Sequence, residues 1–447
     1  MRAVLLAALP SDQSSTGRLT SVVKQELVHA GYDRCDAFDL TSTPLAFCQG
    51  EFDCWAKTPG RCRAQDAETR IVQAVHDADA LVFLDAITFG GHGHVLKTAV
   101  DRLLCLLEPF FTTRHALTHH TMRYATHQRL FSIGWLPTPD RALAETFAEL
   151  TDANAVNYLS PACGTAVVDA EHEPEWPTAI RAMFEHTLTP GASITARAGL
   201  RRALLAAAAP DPRASEGGRI RRTSLLIGSP KAKGTSASEV LVRAIDARLS
   251  SLGVATNIHV ATEFVHARAS ALASAADVVA SDLFFLVTPL YVDALPSLTT
   301  HALELVAGAR AQAGERTPMP RFAMLINCGF PEAEQTRTAM RIARHFADQA
   351  GYLWAGGLPL GGGGVITPAT VLDKPAGPVT NIVRALDQAV PSLAETGAVS
   401  HESIETMATS VLPDIFYRMF GDVGWRWQAH RHGLAQRDLH ARPLDQP

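Results

Sequence analysis

A run of small and hydroxyl-bearing residues follows an apolar segment near the middle of the chain. The apolar residues 225–227 end at Gly228, and apolar side chains return at helical spacing from Leu241 onward. Between them lie two lysines and four hydroxyl-bearing residues: Ser229, Lys231, Lys233, Thr235, Ser236 and Ser238. Hydroxyls and backbone N–H groups between a strand and a helix N-terminus bind phosphate groups. The pattern therefore predicts a phosphate-binding loop, which is called the phosphate loop below (228–238).

The phosphate loop lacks the two common nucleotide motifs. It contains neither the G-x-x-x-x-G-K-[ST] sequence of a P-loop nor the G-x-G-x-x-G sequence of a dinucleotide site. A loop that depends on Ser and Thr instead favours a flavin monophosphate over ATP or a dinucleotide.

Two later loops have residues that suit an aromatic ligand. The apolar run 282–287 precedes a loop, 288–296, in which two prolines flank Tyr291 and limit its flexibility. The run 322–327 precedes Cys328-Gly329-Phe330, in which Gly329 permits a close backbone approach and Phe330 can border a flat ring. Because parallel strands end at the same sheet edge, we expect these loops to lie beside the phosphate loop.

The chain repeats this pattern in its first half. Residues 5–10 (LLAALP) resemble 225–230 (LLIGSP), and 79–84 (DALVFL) resemble 282–287 (DLFFLV). Strands that alternate with helices indicate a parallel sheet, and continuous apolar runs are typical of strands buried on both faces. The predicted fold is α/β, with two doubly wound parallel-sheet domains of the flavodoxin type in tandem. The predicted divisions are a first domain at 1–189, a linker at 190–223, a second domain at 224–399 and an aromatic extension at 400–447.

The sequences GSPKAKGTSAS, TPLYVDALP and NCGFPE together resemble the flavodoxin-like NAD(P)H-dependent FMN reductase superfamily. The resemblance covers most of 225–365. It implies that the phosphate and ribityl chain of FMN contact Ser229, Lys231, Thr235, Ser236 and Ser238. It implies that the flavin ring contacts Pro289, Leu290, Tyr291 and Val292, besides Gly329 and Phe330. The loop 361–364 is either a further close-approach loop or a plain turn.

The first half resembles the same superfamily through other residues. Its segment 47–68 (FCQGEFDCWAKTPGRCRAQDAE) is similar to a cysteine-rich segment of flavodoxin-like flavoproteins that include iron–sulfur flavoproteins. Glu51 stands where the second cysteine of that motif would be, so that Cys48, Cys54 and Cys62 are one short of the four that a thiolate cluster needs. We therefore predict no metal, and free thiols or a reversible disulfide in this loop. Leu9 stands where the second half has the phosphate-loop serine and cannot donate a hydroxyl, which makes this half an eroded flavin site. Ser14, Ser15 and Thr16 still offer hydroxyls, so FMN binding here stays an alternative.

The histidines of the first half do not form a convincing metal site. His92 and His94 lie in a glycine-rich loop without carboxylates in the pattern, and His119-His120 are adjacent in sequence. A loop lined by histidine and a solvated or capping pair are the interpretations that these sequences favour.

The resemblance implies an NAD(P)H-dependent flavin oxidoreductase with FMN as cofactor and NADH or NADPH as co-substrate. The acceptor would be a quinone, a flavin or another small molecule, and only Tyr291 and Glu332 are near enough to give polar assistance. One alternative is an FMN-binding electron carrier that does not react with nicotinamide. Another is a flavin-free scaffold for protein interactions.

Composition narrows the class of protein. The chain has 447 residues, of which 47% are hydrophobic and 19% charged, with a net charge of −5. These values fit globular domains and give no reason to expect nucleic acid or an anionic membrane as a partner. Seven cysteines in a chain of this length do not indicate a disulfide framework. We expect a cytoplasmic protein, with a homodimer as one possible assembly.

Overall fold

The computed structural model describes residues 1–10, 14–194, 196–216, 218–265, 267–314 and 318–445. The chain divides into two compact units. The first comprises Met1–His115, His119–Thr195 and Met419–Pro447, and the second comprises Ala116–Thr118 and Ala196–Arg418.

The elements from Arg2 to Glu185 alternate between strands and helices. The strands are β1 (Arg2–Ala8), β2 (Arg34–Asp39), β3 (Ala80–Thr88), β4 (Gly91–His92), β5 (Leu107–Arg114), β6 (Leu117–Met122), β7 (Arg129–Leu136) and β8 (Cys163–Asp169). The helices are α1 (Ser14–His29), α2 (Asp53–Ala56), α3 (Glu68–His76), α4 (His94–Arg102), α5 (Arg141–Asn157) and α6 (Trp176–Glu185).

The main sheet of the first unit has the strand order β2-β1-β3-β7-β8, and these strands pair in parallel. The two-residue strand β4 pairs antiparallel with the end of β3, while β5 and β6 form a separate two-stranded sheet. Residues 80–85 of β3 are buried, as expected for a central strand covered on both faces.

The elements from Arg197 onward repeat the alternation. The strands are β9 (Arg222–Ile227), β10 (Ala255–Val260), β11 (Leu283–Pro289), β12 (Arg321–Asn327) and β13 (Leu353–Leu360). The helices are α7 (Arg197–Ala208), α8 (Ala237–Ser251), α9 (Arg268–Val279), α10 (Ser297–Gln312), α11 (Arg337–Gln349), α12 (Thr380–Thr396), α13 (His401–Met407) and α14 (Asp414–Arg431).

The sheet of the second unit has the order β10-β9-β11-β12-β13, with every pair parallel. Relabelled by position in each sheet, both units have the order 2-1-3-4-5, which is the flavodoxin arrangement. The prediction of two doubly wound flavodoxin-like sheets in tandem is confirmed. In this order the neighbouring first and third strands bring their following loops together, which places the phosphate loop beside the loop after β11.

The C-terminal residues pack on the first unit. The buried guanidinium of Arg123 donates hydrogen bonds of 2.8 Å to the carbonyl oxygens of Leu439 and Ala441. His440 pairs with Glu108 at 3.0 Å, and the Trp425 ring meets the Trp55 ring edge-on at 5.2 Å. The described part of the aromatic extension from Met419 onward therefore belongs to the first unit. No helix in the described part of the chain is long and apolar enough to cross a membrane.

Candidate functional site

The phosphate loop connects β9 to α8 in the second unit. Ser229, Ser236 and Ser238 are buried, Lys231 is half-buried and Thr235 is exposed. Helix α8 has 15 residues, long enough for its N-terminus to favour an anion. The three buried hydroxyls, the lysines and this N-terminus form a donor set that fits a phosphate group.

The loop hydroxyls also have structural roles. Ser236 is the N-cap of α8, and its Oγ accepts a 3.1 Å hydrogen bond from the N–H of Glu239. Thr235 donates to the carbonyl of Ala232 at 2.6 Å, and Ser229 Oγ accepts from the N–H of Lys231 at 3.4 Å. A serine oxygen that accepts one hydrogen bond still has its own O–H to donate. The two serines therefore keep their O–H groups free to donate, whereas the hydroxyl of Thr235 already donates to the chain.

An acidic residue that sequence reasoning passed over completes the loop. Glu239 is buried in the first turn of α8, where its carboxylate accepts a hydrogen bond from the N–H of Gly234 and pairs with Arg243. Arg243 offsets the negative charge that Glu239 would otherwise direct at a bound anion. The signal in the sequence was the i, i+4 spacing of an acid and a base.

The loop after β11 is a tight two-residue hairpin. Tyr291 and Ala294 exchange backbone hydrogen bonds of 2.9 and 3.1 Å around Val292 and Asp293. Val292 has φ 45° and Asp293 φ 60°, the positive values that a type I′ turn requires. A β-branched residue is strained at positive φ, so Val292 is held by its surroundings in an unfavourable conformation. Pro289, Leu290, Tyr291 and Val292 are all half-buried, with surface left for a ligand.

The start of the phosphate loop packs closely against the end of β11 and the start of α10. The Oγ1 of Thr299 donates a 2.5 Å hydrogen bond to the carbonyl of Gly228. A Cβ at Gly228 would lie 2.7 Å from both Cβ and Oγ1 of Thr288. Glycine is therefore needed here by the packing of the phosphate loop against the hairpin loop.

Asn327, at the end of β12, joins the three loops. Its side-chain amide donates hydrogen bonds of 3.0 Å to Ser238 Oγ and to the carbonyl of Thr288. Its own carbonyl accepts a 2.9 Å hydrogen bond from the N–H of Leu290. Sequence reasoning located the loop but did not assign this residue a role.

The loop after β12 has an open side. Gly329 is exposed, and a Cβ there would meet nothing within 4 Å, so the protein itself does not require a glycine at this position. Phe330 is half-buried and its N–H donates to Cys328 Sγ at 3.3 Å. Burial raises the pKa of the Cys328 thiol, which therefore stays protonated. The arrangement agrees with the interpretation of Cys328 as a small buried residue.

The glycine loop after β13 approaches protein backbone. A Cβ at Gly361 would lie 2.3 Å from the carbonyl oxygen of Pro331. Gly362 donates to the carbonyl of Phe330 at 2.7 Å, and the N–H of Gly364 donates to the Tyr417 hydroxyl at 3.1 Å. Of the two interpretations offered by the sequence, close approach applies, and the approaching group belongs to the chain itself.

Glu332 already has partners. Its Oε1 accepts hydrogen bonds from the N–H and Oγ1 of Thr118, at 3.2 and 2.7 Å. Burial raises the pKa of this carboxyl group, although the Thr118 bonds oppose the shift. Glu332 thus bonds the segment 116–118 within the second unit, whereas the Tyr291 ring is partly exposed beside the candidate site.

The corresponding sheet edge of the first unit has the same two-residue turn but different side chains. Phe89 and Gly90, with φ 54° and 82°, form the two-residue turn between β3 and β4. Leu9 is buried at the position that corresponds to Ser229. Lys97 and Asp101 form a buried ion pair on α4. The first unit therefore keeps the backbone of the site while replacing the serine.

His92 is fully enclosed in the first unit, edge-on to the rings of Phe83 and Phe147 at 5.5 and 5.3 Å. Neither ring nitrogen has a hydrogen-bond partner among the described residues. Burial, reinforced by Lys97, lowers the pKa of His92 to about 3. The ring is thus neutral in the folded state and packs in the core, with its Nδ1 3.6 Å from a carboxylate oxygen of Asp85.

We expect His92 to destabilise the fold in mild acid. Its pKa is lower in the folded chain than in the unfolded chain, so the unfolded state binds the extra proton as the pH falls below about 6.5. As the pH falls from roughly 6 to roughly 4, protonation of His92 in the unfolded state should lower the free energy of unfolding by about 1.4 kcal/mol per pH unit. Replacing His92 with Phe should remove this loss. Urea unfolding across this range measures the slope, and His430→Phe, at an exposed position, is the control. Parallel curves for His92→Phe and the unsubstituted chain would contradict the assignment.

The cysteine segment of the first unit encloses a cavity of about 130 Å³. Cys48, Cys54 and Cys62 line it, as the sequence led us to expect of a compact loop. Cys105, in the 3₁₀ turn that follows α4, lines the same cavity. Sequence reasoning missed Cys105 because it lies 43 positions after Cys62, and no local motif includes it.

A comparison with protein families gives one match, to the NADPH-dependent FMN reductases over residues 1–124. The match covers 124 of the 447 residues. The FMN reductase match confirms the predicted superfamily, the use of FMN and NAD(P)H, and the class of flavin oxidoreductase. The match lies in the first unit, where Leu9 occupies the position that corresponds to Ser229. It does not include the three loops of the second unit.

Solved structures that align with this chain include an NAD(P)H:quinone oxidoreductase from Methanothermobacter marburgensis, at 12% identity and TM-score 0.34. That alignment covers 42% of this chain and 98% of the other. An azoreductase from Bacillus anthracis aligns at 15% identity and TM-score 0.30, over 41% of this chain and 96% of its own. The identities are too low for either activity to be transferred. No curated protein matches the sequence.

Proposed function

We propose that the second unit of this flavin oxidoreductase binds FMN and uses NAD(P)H to reduce a small acceptor such as a quinone or a free flavin. The observation that carries the proposal is the convergence of three loops on Asn327. Its amide bonds the phosphate loop at Ser238 and the hairpin loop at Thr288, both at 3.0 Å. A site built from three loops at the carboxyl edge of a doubly wound sheet is where this fold binds its ligands.

The polarity of the three loops supports one orientation of the cofactor. The phosphate would contact the hydroxyls of Ser229, Ser236 and Ser238, with Lys231 and Thr235 at the more exposed rim. The ring would lie along the half-buried residues of the hairpin loop and beside the open side of Gly329 and Phe330. FMN, when bound, supplies the hydride-accepting and electron-donating chemistry, while the protein orients the ring and controls its access to water.

The loops are arranged to hold the ring in one position. Val292 is kept at positive φ, and its hairpin is bonded at Leu290 to the backbone of Asn327. A ring beside such a loop would meet a surface that does not have to reorganise as charge develops on the flavin, which is the condition for efficient electrostatic assistance. The half-buried Tyr291 ring is the group best placed to border the nicotinamide or the acceptor.

The test is to measure flavin per chain and then reduction by NAD(P)H. We expect the purified chain, loaded with FMN, to bind about one FMN, to be bleached by NADH or NADPH without oxygen, and to be reoxidised by a benzoquinone or free FMN. The matched variants are Ser229→Leu in the second unit and Leu9→Ser in the first, which exchange the two phosphate-loop residues.

The outcomes separate the alternatives. Loss of FMN in Ser229→Leu supports the second unit as the binding site, whereas retention of all FMN in that variant would overturn it. FMN that is reduced by dithionite but not by NADH or NADPH would indicate an electron carrier. A chain that takes up no FMN at all would leave an interaction scaffold.

A further inference from the structure

Helix α14 has an apolar side that the rest of the first unit does not cover. Four large apolar side chains of this helix belong to the first unit and are each more than half exposed: Met419, Phe420, Val423 and Trp427. Spacings of three and four residues place them on one side of the helix, and they are called the apolar face below. Contiguous exposed patches of this kind mark surfaces that bind a protein or a membrane.

The opposite side of the helix is packed, which fixes the direction of the apolar face. The Trp425 ring lies against the Trp55 ring, with 5.2 Å between their centroids. Ala429 is buried, and a Cβ at Gly421 would lie 2.4 Å from Cε2 of Phe111. Residues 421, 425 and 429 repeat every four positions and thus form the side that holds the helix to its own unit. The apolar face is not used in this packing and is open to a partner.

The exposed charges beside the apolar face are basic. Arg426 and Arg431 are exposed, and the Arg431 guanidinium lies 4.9 Å from the centre of the Trp427 ring. Asp422, the one acidic residue between positions 419 and 431, is half-buried, and its carboxylate accepts a hydrogen bond from the backbone N–H of Phe111. Although the whole chain has a net charge of −5, this surface therefore presents positive charge next to aromatic rings.

We propose that the apolar face, with Arg426 and Arg431, docks the protein on the surface of an anionic lipid bilayer. A helix that lies in a bilayer interface places its Phe and Trp side chains among the acyl chains and keeps its Arg side chains at the lipid phosphates. A second copy of the chain fits this face less well, because a symmetric contact would bring together two surfaces of the same positive charge. The inference is independent of the FMN site proposed above, since it uses no residue of the second unit.

The test is co-sedimentation of the full chain with phosphatidylcholine vesicles, prepared with and without phosphatidylserine. We expect binding to the vesicles that contain phosphatidylserine, and weaker binding at high ionic strength, because salt screens the attraction between arginine and lipid. Phe420→Ser/Trp427→Ser should weaken this binding by at least about tenfold. Arg426→Gln/Arg431→Gln should weaken it by about tenfold or more.

The matched control is Val28→Ser/Leu188→Ser, which changes two exposed apolar residues of the same unit outside α14 and should bind as the unsubstituted chain does. Absence of binding to phosphatidylserine vesicles, or equal binding to vesicles without this lipid, would overturn the anionic bilayer as the partner. Undiminished binding of a folded Phe420→Ser/Trp427→Ser variant would overturn the role of the apolar face. Self-association in sedimentation velocity that this variant abolishes would assign the face to a second copy instead. Each result is read without FMN or NAD(P)H, so it leaves the test of the FMN site unaffected.

Discussion

Replacing Ser236 with Asp should weaken FMN binding by about 100-fold or more while leaving the second unit folded. A carboxylate about 4 Å from a phosphate charge costs about 4 kcal/mol at the intermediate dielectric of a protein surface. Because Asp caps helices as well as Ser does, its carboxylate should accept the hydrogen bond from the N–H of Glu239 that Ser236 Oγ accepts at 3.1 Å. Fluorescence titration with FMN gives the Kd, and thermal unfolding reports the fold.

The control is the same substitution at Ser400, the N-cap of α13, which accepts the N–H of Ser403 at 3.2 Å. Ser400→Asp should change neither the Kd for FMN nor the melting temperature appreciably. Ser238 is less suitable for this test, because its Oγ accepts a hydrogen bond from the side-chain amide of Asn327, the residue that joins the loops. If Ser236→Asp binds FMN as well as the unsubstituted chain does, the phosphate assignment is wrong.

Gly228→Ala should destabilise the second unit by about 2–3 kcal/mol, the cost typical of an overpacked core. The added Cβ would lie 2.7 Å from Cβ of Thr288 and 2.9 Å from Oγ1 of Thr299, and both threonines are buried. Relief of this clash must push the phosphate loop away from the hairpin loop, so FMN content should fall together with stability. Chemical unfolding and flavin content, measured on one preparation, check both effects.

Gly308→Ala provides the matched comparison within the same unit. Gly308 lies inside α10, and a Cβ there would meet nothing within 4 Å. Alanine should stabilise the helix by about 0.5–1 kcal/mol, because glycine is the poorer helix former. If the two substitutions had equal effects, the close approach at Gly228 would not be what requires glycine there.

The two units share the backbone geometry of the candidate site but differ in the side chains that line it. Both units place a two-residue turn of positive φ after the third strand, through Phe89 and Gly90 in one and Val292 and Asp293 in the other. Backbone geometry is thus common to the two halves, while the side chains have diverged: Leu9 stands where the second unit has Ser229. The family match falls on the first unit, and the hydroxyl-rich loop falls on the second. The exchange of Leu9 and Ser229 described above decides which divergence matters for FMN.

Local patterns of sequence were enough to predict the architecture. Apolar runs of strand length, the glycines and prolines that end them, and helical spacing all depend on residues close in the chain, and they repeat in the two halves. The phosphate loop and the hairpin loop were predicted for the same reason, because each follows its strand directly. The flavodoxin strand order then places their ends at one edge.

Tertiary structure alone decided which distant side chains meet. Asn327 bonds Ser238 across 89 residues, and Cys105 joins the cavity of a loop that ends 43 residues earlier. Arg123 is held by carbonyls more than 300 residues further along the chain. Such contacts depend on how strands and helices pack, which leaves no periodic signal in the sequence. The strands and helices of this protein therefore follow from its local sequence. The hydrogen bonds between its loops, and the position of Cys105 in the cysteine cavity, follow only from the fold.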